Sequence, residues 1–219
     1  MTMNFKTIAN GEAIFIESIP HLSFDNFSTQ ATAIVSGGGK VVQFFAFQTE
    51  GAVRLMAVLR TDELLVASCD APERYPALTV QCEPFHMFER EIAEQYGIIP
   101  EVHPWLKMVR YHANCRGVDD VFGNDYSNDI PGKYDYYSVA GDEIHEVAVG
   151  PVHAGVIEPG HFRFNCIGER VLNLEIQLGY QQCGIEALIP GLAAKRLPLV
   201  IESVAGDTTV GHSLCMAQA

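Results

Sequence analysis

Residues 88–106 read FEREIAEQYGIIPEVHPWL, and the helix predicted at their start organises the fold. Apolar side chains recur at helical spacing along one face of this helix: Phe85, Phe88, Ile92, Ala93 and Tyr96. Pro84 suits the first turn, and Gly97 suits the position that follows the last turn. The pattern predicts a helix over residues 83–96 with this face buried. Its charged side chains are expected to face outward: Glu89, Arg90, Glu91 and Glu94.

The sequence before this helix predicts an antiparallel sheet. Four runs rich in Val, Phe and Leu have strand character: residues 31–35, 40–49, 53–59 and 63–71. Turn signals lie between them: Gly37-Gly38-Gly39, Glu50-Gly51 and Thr61-Asp62. Together with one N-terminal helix, these elements predict an α+β domain over residues 1–115.

The composition changes at residue 116. Residues 116–142 are rich in Asp, Asn, Gly, Ser and Tyr and lack a periodic apolar pattern, which predicts a linker or surface arm. The tyrosines of this arm either contact a partner or pack beneath the arm itself: Tyr126, Tyr134, Tyr136 and Tyr137.

A second unit is predicted over residues 143–219. Three of its segments alternate like strands: residues 145–150, 161–167 and 170–178. Gly168-Glu169 signals a tight turn between the last two. From Ala187 onward the apolar spacing indicates helices, interrupted by Pro190-Gly191 and by Pro198. The final helical pattern is apolar and uncapped up to residue 219, so a longer protein cut at this point is one alternative.

Charge and cysteine content argue against several classes of function. The formal charge is −13 with only 14 Lys and Arg residues, which disfavours nucleic acid and anionic lipid as partners. No segment reaches the roughly 18 apolar residues of a spanning helix, and the N-terminus lacks a signal-peptide pattern. We therefore expect a cytoplasmic protein without direct membrane insertion. The six cysteines are scattered singly without a C-x-x-C pair, so we expect this chain to bind no metal.

Two signatures in the same order resemble one group of redox proteins. Residues 88–106 resemble the FERE…D-x-F-G-I…G-H-P-x-L signature of the C subunit of respiratory complex I. Residues 150–153 (GPVH) and 158–164 (EPGHFRF) resemble the opening β-hairpin of the complex I D subunit. They resemble more closely the large subunit of energy-converting nickel–iron hydrogenases, including formate hydrogenlyase, in which C-like and D-like parts are fused in this order.

The resemblance implies the N-terminal part of a fused C/D-type subunit. Its expected architecture is a mixed α/β sheet domain like the C subunit, a linker, and the β-hairpin and helical start of a D-like domain. The implied partners are an iron–sulfur small subunit and integral membrane subunits. These partners would hold the chain peripherally on the inner face of the cell membrane.

The sequence departs from these patterns where their chemistry is decided. Ala205 and Thr208 stand where the hydrogenase pattern places its first pair of nickel-ligand cysteines. Nickel in such a site needs deprotonated sulfur, which neither residue supplies. The Y-x-H-R-G-x-E motif of hydrogenases survives only as Tyr180, Gly184 and Glu186. The resemblance therefore implies no nickel chemistry by the usual route.

Three histidines are candidates for binding a quinone or another small acceptor. His153 and His161 lie on the two arms of the predicted hairpin, where each could donate a hydrogen bond to a carbonyl of the acceptor. The complex I hairpin has a histidine where this chain has Pro159, with His161 two places further on. His212 follows residues 207–209, which we interpret as an N-cap cluster of the last helix. The alternative for all three is a structural histidine bonded within the chain.

Six residues are candidates for subunit contacts: Glu89, Arg90, Glu91, His103, Tyr180 and Glu186. We expect a scaffold subunit of an NADH dehydrogenase-like or hydrogenase-related electron-transfer complex, without activity or a cofactor of its own and next to an iron–sulfur cluster in a partner. One alternative is a quinone- or small-acceptor-binding oxidoreductase subunit. The other is an N-terminal fragment of a longer hydrogenase-like large subunit.

Overall fold

A five-stranded sheet forms the first half of the computed structural model, which describes residues 4–111, 114, 116–117, 121–123 and 134–219. Its strands are β1 (Lys6–Ile8), β2 (His21–Leu22), β3 (Lys40–Thr49), β4 (Ala52–Arg60) and β5 (Leu64–Asp70). Strands β3, β4 and β5 pair antiparallel in succession, and β1 adds antiparallel to β5. The short β2 pairs in parallel with the end of β5. The three long predicted strands are confirmed to within one residue at each end.

The predicted strand at residues 31–35 is wrong, because these residues form the second half of helix α1, Phe24–Ser36. Ser23 caps the helix, since its hydroxyl accepts a hydrogen bond from the amide of Asn26. Apolar side chains four residues apart face the core: Phe27, Ala31 and Val35. A run of five apolar residues fits either a strand or a helix, and only the longer helical period distinguishes the two.

Helix α2, His86–Tyr96, confirms the helix predicted from the signature. A 3-10 turn, Glu83–Phe85, leads into it, and Gly97 ends it in the left-handed region at φ 66°. The predicted apolar face is buried or partly buried: Phe85, Phe88, Ile92, Ala93 and Tyr96. The Phe85 ring meets Phe44 of β3 edge to face, with 5.4 Å between ring centres. This contact fixes the start of α2 on the sheet.

Two further sheets follow in the chain. Strands β6 (Arg74–Pro76) and β7 (Ile99–Glu101) form a parallel pair on either side of α2 in sequence. Strands β8 (Ile144–Val149), β9 (His161–Ile167) and β10 (Arg170–Gln177) form an antiparallel sheet in the order β10-β9-β8. The strands predicted for the second unit and the turn at Gly168 are confirmed, and the chain is α+β in class.

Three short helices end the chain: α3 (Ile185–Leu188), α4 (Leu197–Glu202) and α5 (Thr209–Gln218). Pro190-Gly191 separates α3 from α4, as predicted. Pro198 lies in the first turn of α4 and does not interrupt it, because the first turn needs no amide from proline. Within the described part of the chain, no helix combines the length and apolar character that crossing a membrane requires.

Candidate functional site

Three of the four charged side chains on α2 point into the protein. Glu89 and Glu94 are 0% exposed and Arg90 is 5% exposed. The prediction that these three face outward is wrong, because residues 77–80 and 105–111 cover that side of the helix and bond to it. Glu91 keeps a partly exposed side chain. Glu89 and Arg90 therefore offer little side-chain surface to a partner, and their role as subunit contacts stays a prediction.

Glu89 binds the 3-10 turn at Leu78–Val80 from the inside. Its carboxylate accepts hydrogen bonds from the amides of Leu78 (2.8 Å) and Thr79 (3.0 Å) and from the Thr79 hydroxyl. Burial raises the pKa of Glu89, while these hydrogen bonds favour the charged form and act in the opposite direction. The FERE signature thus places a buried acid where it organises local backbone.

Glu94 holds the segment that follows the signature. Its carboxylate accepts hydrogen bonds from three consecutive amides, those of Val109 (2.8 Å), Arg110 (2.8 Å) and Tyr111 (2.5 Å). Tyr111 lies in the left-handed region at φ 62°, so this tight turn of the backbone matches the carboxylate. Glu94 therefore fixes the position of residues 109–111 relative to α2.

Arg90 anchors the same segment one turn earlier. Its Nε donates to the carbonyl of Lys107 (2.8 Å) and its Nη2 donates to the carbonyl of Met108 (3.0 Å). The guanidinium also lies 5.3 Å from the centre of the Trp105 ring. These contacts make Arg90 part of the polar core of the first half.

His103, a predicted subunit contact, is bonded within the chain on both ring nitrogens. Nδ1 accepts a hydrogen bond from the amide of Trp105 (3.1 Å), and Nε2 donates to the carbonyl of His86 (3.3 Å). Burial, together with the neighbouring His86 ring and Arg90, lowers the pKa of His103 to about 4. The ring is therefore neutral at physiological pH.

Val102, beside this turn, adopts an unusual backbone conformation. Its φ is 60°, a left-handed value that β-branched residues rarely take, and its side chain is 85% exposed. The resembled signature has glycine at this place, which the left-handed backbone favours. Val102 thus adopts the backbone conformation that is expected of the glycine in the signature.

Arg110 bridges α2 and the region that contains Glu186. Its Nη1 lies 2.8 Å from Glu186 Oε1, and its Nε lies 3.5 Å from Glu91 Oε1. The Arg110 side chain is about one-third exposed. Two of the predicted contact residues, Glu91 and Glu186, therefore share the cation of Arg110, which belongs to no recognised motif.

Tyr180 lies near this bridge on the loop that follows β10. It is 43% exposed, and its hydroxyl donates to Gln177 Oε1 (3.0 Å). The loop borders an open groove of about 700 Å³. The groove is lined by apolar side chains and the ion bridge, among them Phe162, Leu178, Ile185, Ile201, Arg110 and Glu186.

The two hairpin histidines are bonded across the base of one loop, residues 150–160. His153 Nε2 lies 2.7 Å from the carbonyl oxygen of Gly160, and His161 Nδ1 lies 3.1 Å from that of Gly150. Neither lines the 700 Å³ groove. Both histidines are thus bonded within the chain, as the alternative of a structural role predicts. That they bind an acceptor stays a prediction.

His212 lies on α5 and is partly buried, away from both hairpin histidines in the chain. Helix α5 begins at Thr209 with Thr208 at the N-cap position, where the cluster at residues 207–209 was predicted, but the Thr208 side chain accepts no capping hydrogen bond. The hydroxyl of Thr209 instead donates back to the carbonyls of Glu202 and Gly206, at 3.0 Å each.

A polar cluster that the sequence analysis missed joins the arm to the second sheet. Glu175 of β10 is 1% exposed and accepts hydrogen bonds from the Tyr134 hydroxyl and the Tyr137 amide, both at 2.8 Å. The Lys107 ammonium lies 3.9 Å from the same carboxylate and 4.4 Å from the centre of the Tyr137 ring. Tyr126 lies outside the described residues. The available signal was a lone acid between the apolar residues Leu174 and Ile176 of this strand.

The residues at the position of the first nickel-ligand pair do not fit nickel. Ala205 offers a methyl group and Thr208, which is exposed at the start of α5, offers a hydroxyl. Neither can act as the soft thiolate ligand that nickel requires. Among the described residues, no three His, Cys, Asp or Glu side chains gather closely enough to hold a metal ion.

Comparison with known proteins finds two similar chains from Escherichia coli (strain K12). Hydrogenase-4 component G is 25% identical over 186 residues, which cover 80% of this chain and 32% of that protein. Formate hydrogenlyase subunit 5 is 23% identical over 168 residues, which cover 68% of this chain and 27% of that protein. The chain thus spans about a third or less of the length of these curated relatives. No family model matches it.

Proposed function

We propose that this chain is a scaffold subunit of a hydrogenase-related oxidoreductase complex. The observation that carries the proposal is the similarity to hydrogenase-4 component G and formate hydrogenlyase subunit 5, which extends over most of the chain. In this proposal the chain packs against an iron–sulfur small subunit and integral membrane subunits on the inner face of the membrane. Electrons pass through the cluster of the partner, since Ala205 and Thr208 supply no nickel ligands here.

The second sheet offers a surface suited to the small subunit. Val147 of β8 and Leu174 of β10 both lie opposite Phe164 of β9, so the three form one apolar row. Val147 is 40% exposed and Leu174 is 42% exposed, while the opposite face contains the buried Glu175 and Asn165. A sheet with its polar face buried and its apolar face in water supports a protein contact on the apolar face.

Charge reversal on this row tests the proposal. Val147→Glu should abolish co-purification of the iron–sulfur subunit, because an unpaired carboxylate in an apolar contact is strongly unfavourable. The matched control is Val42→Glu, another exposed valine on an edge strand, β3, of the first sheet. Retention of the subunit by the Val147→Glu protein, or equal loss in both variants, would contradict this assignment.

The groove favours a second candidate function, binding of a quinone or similar small acceptor. It is open, mostly apolar and bordered by Pro159 and Gly160, which adjoin the His161 backbone. The two histidines do not line the groove, so in this proposal the acceptor extends from the groove past Pro159 and Gly160. It then takes a hydrogen bond from His153 or His161 in place of a backbone carbonyl. A quinone analogue titrated into the assembled complex should shift the NMR signals of these two rings, and unchanged signals would exclude it.

A further inference from the structure

We infer that Arg110 is a positioning residue that holds the loop carrying Tyr180 and Glu186 in place against helix α2. The inference concerns how this chain presents that loop. Its consequence for partner binding rests on the proposed function and on the prediction from the sequence that Tyr180 and Glu186 contact a partner subunit.

Arg110 starts from a fixed backbone. Glu94, fully buried on α2, accepts hydrogen bonds from the amides of residues 109–111. The side chain of Arg110 therefore extends from a segment that cannot shift without breaking three charge-assisted hydrogen bonds. Because α2 holds the backbone of Arg110, the guanidinium can fix the position of the side chain that it binds.

The loop approaches this segment closely at a second point. Gly179 adopts φ 97°, and a Cβ atom placed on it would lie 2.6 Å from the Tyr111 ring and 3.0 Å from the carbonyl oxygen of Val109. Only glycine allows this approach. Residues 179–186 therefore contact residues 109–111 at two points. Gly179 makes the first contact at the start of the loop, and Glu186 makes the second in the first turn of α3.

The ion bridge supplies the specific contact. Arg110 reaches Glu186 at 2.8 Å and Glu91 of α2 at 3.5 Å, so one cation is shared by an acid from each half of the chain. Tyr180 lies between the two anchor points in the sequence, and its neighbours Gly179 and Gln181 line the groove. Its exposed ring is thus presented at a position set by residues of the first half.

Amide hydrogen exchange on the full chain tests the inference directly. Arg110→Gln should speed exchange at residues 180–186 roughly two- to fivefold, the range expected for loss of a partly exposed ion pair. Exchange in α2 should not change. The matched control is Arg54→Gln, which removes an ion pair of the same type, 3.5 Å from Asp70 and similarly exposed, on the first sheet. It should leave residues 180–186 at the original rate.

Charge exchange separates an ionic role from simple packing. Arg110→Glu alone should give the fastest loop exchange, because it opposes Glu186 and Glu91. Adding Glu186→Arg should slow exchange relative to Arg110→Glu, since one ionic contact is restored. Added salt should speed loop exchange in the original protein and have little effect in Arg110→Gln. Exchange unchanged by Arg110→Gln, or no recovery in the double variant, would overturn the inference.

Co-purification with the iron–sulfur subunit distinguishes this inference from the proposed function. Faster loop exchange with weaker co-purification of the Arg110→Gln protein would support both. Faster exchange with co-purification intact would keep the positioning role and contradict the contact assigned to the loop. Weaker co-purification with unchanged exchange would overturn the positioning role and leave the proposed function standing.

Discussion

Glu94→Gln, which replaces one carboxylate oxygen by an NH2 group, should strongly destabilise the chain. The carboxylate is fully buried and accepts three amide hydrogen bonds, two on Oε2 from Val109 and Arg110 and one on Oε1 from Tyr111. A glutamine retains one acceptor oxygen, so its amide group must face at least one buried N–H. An unsatisfied buried donor costs about 1–3 kcal/mol, and the remaining bonds lose charge assistance worth about 1 kcal/mol each. The expected loss in free energy of unfolding is about 3–5 kcal/mol.

Urea unfolding followed by circular dichroism measures this loss, with Glu91→Gln as the matched control on the same helix. Glu91 makes a partly exposed ion pair at 3.5 Å, so its replacement should cost less than about 1 kcal/mol. Glu94→Asp, which keeps the charge but shortens the side chain, should fall between the two. Equal small losses for Glu94→Gln and Glu91→Gln would refute the claim that the buried acid organises residues 109–111.

Three further predictions concern single residues of the first half. The pKa of His103 is lowered to about 4 in the folded chain, so the unfolded state binds more protons between that value and about 6.5. Stability should therefore fall as pH drops through this window, by about 1–2 kcal/mol because the ring is only partly buried, and His103→Gln should flatten the pH profile in urea unfolding. Val102→Gly should raise the free energy of unfolding by about 1 kcal/mol, because relief of backbone strain exceeds the added chain entropy, whereas Val80→Gly should lower it. Burial raises the pKa of Cys69 to about 12, so in a thiol-labelling time course its thiol should react only on unfolding, while the exposed Cys183 reacts at once.

Local patterns predicted the six long strands, β3 to β5 and β8 to β10, because each of them carries its own signal. They did not predict β1, β2, β6 and β7, which are only two or three residues long. Residues 40–49 and 161–167 alternate or run apolar between clear turns, and both form strands at those bounds. Residues 31–35 were assigned wrongly because five apolar residues fit two periods, and the partner surface decides between them. The sequence thus distinguished strand from helix where the apolar run was long or was flanked by a tight turn.

The polar side of α2 was not recoverable from the helix alone. Glu89, Arg90 and Glu94 have the spacing of a solvated face, and the segments that cover them come from residues 77–80 and 105–111. A helical period reports only the apolar side of one element, so it cannot show that backbone amides from elsewhere will satisfy buried charges. Both acids of the FERE signature, Glu89 and Glu91, bind partners within the chain, which the helical period does not show.

The candidate site shows the same division. The hairpin of β8 and β9 followed from strand patterning, but His153 lies in the loop between these strands and not on an arm of the hairpin. The bonds of His153 and His161 to the carbonyls of Gly160 and Gly150 depend on the geometry of that loop. Arg110 carried no motif at all. Its importance arises from the meeting of Glu91 and Glu186, which are 95 positions apart in the numbering of the chain and contact the same guanidinium.

Purification of the tagged full-length protein from its native membranes, with mass spectrometry and metal analysis, tests the central claim most directly. We predict recovery of an iron–sulfur small subunit and integral membrane subunits in fixed proportion, with iron and without nickel. Recovery of the chain alone, without a cluster-bearing partner, would contradict its assignment to a hydrogenase-related complex. Nickel in a fixed ratio to the chain would contradict the conclusion that Ala205 and Thr208 leave no nickel site.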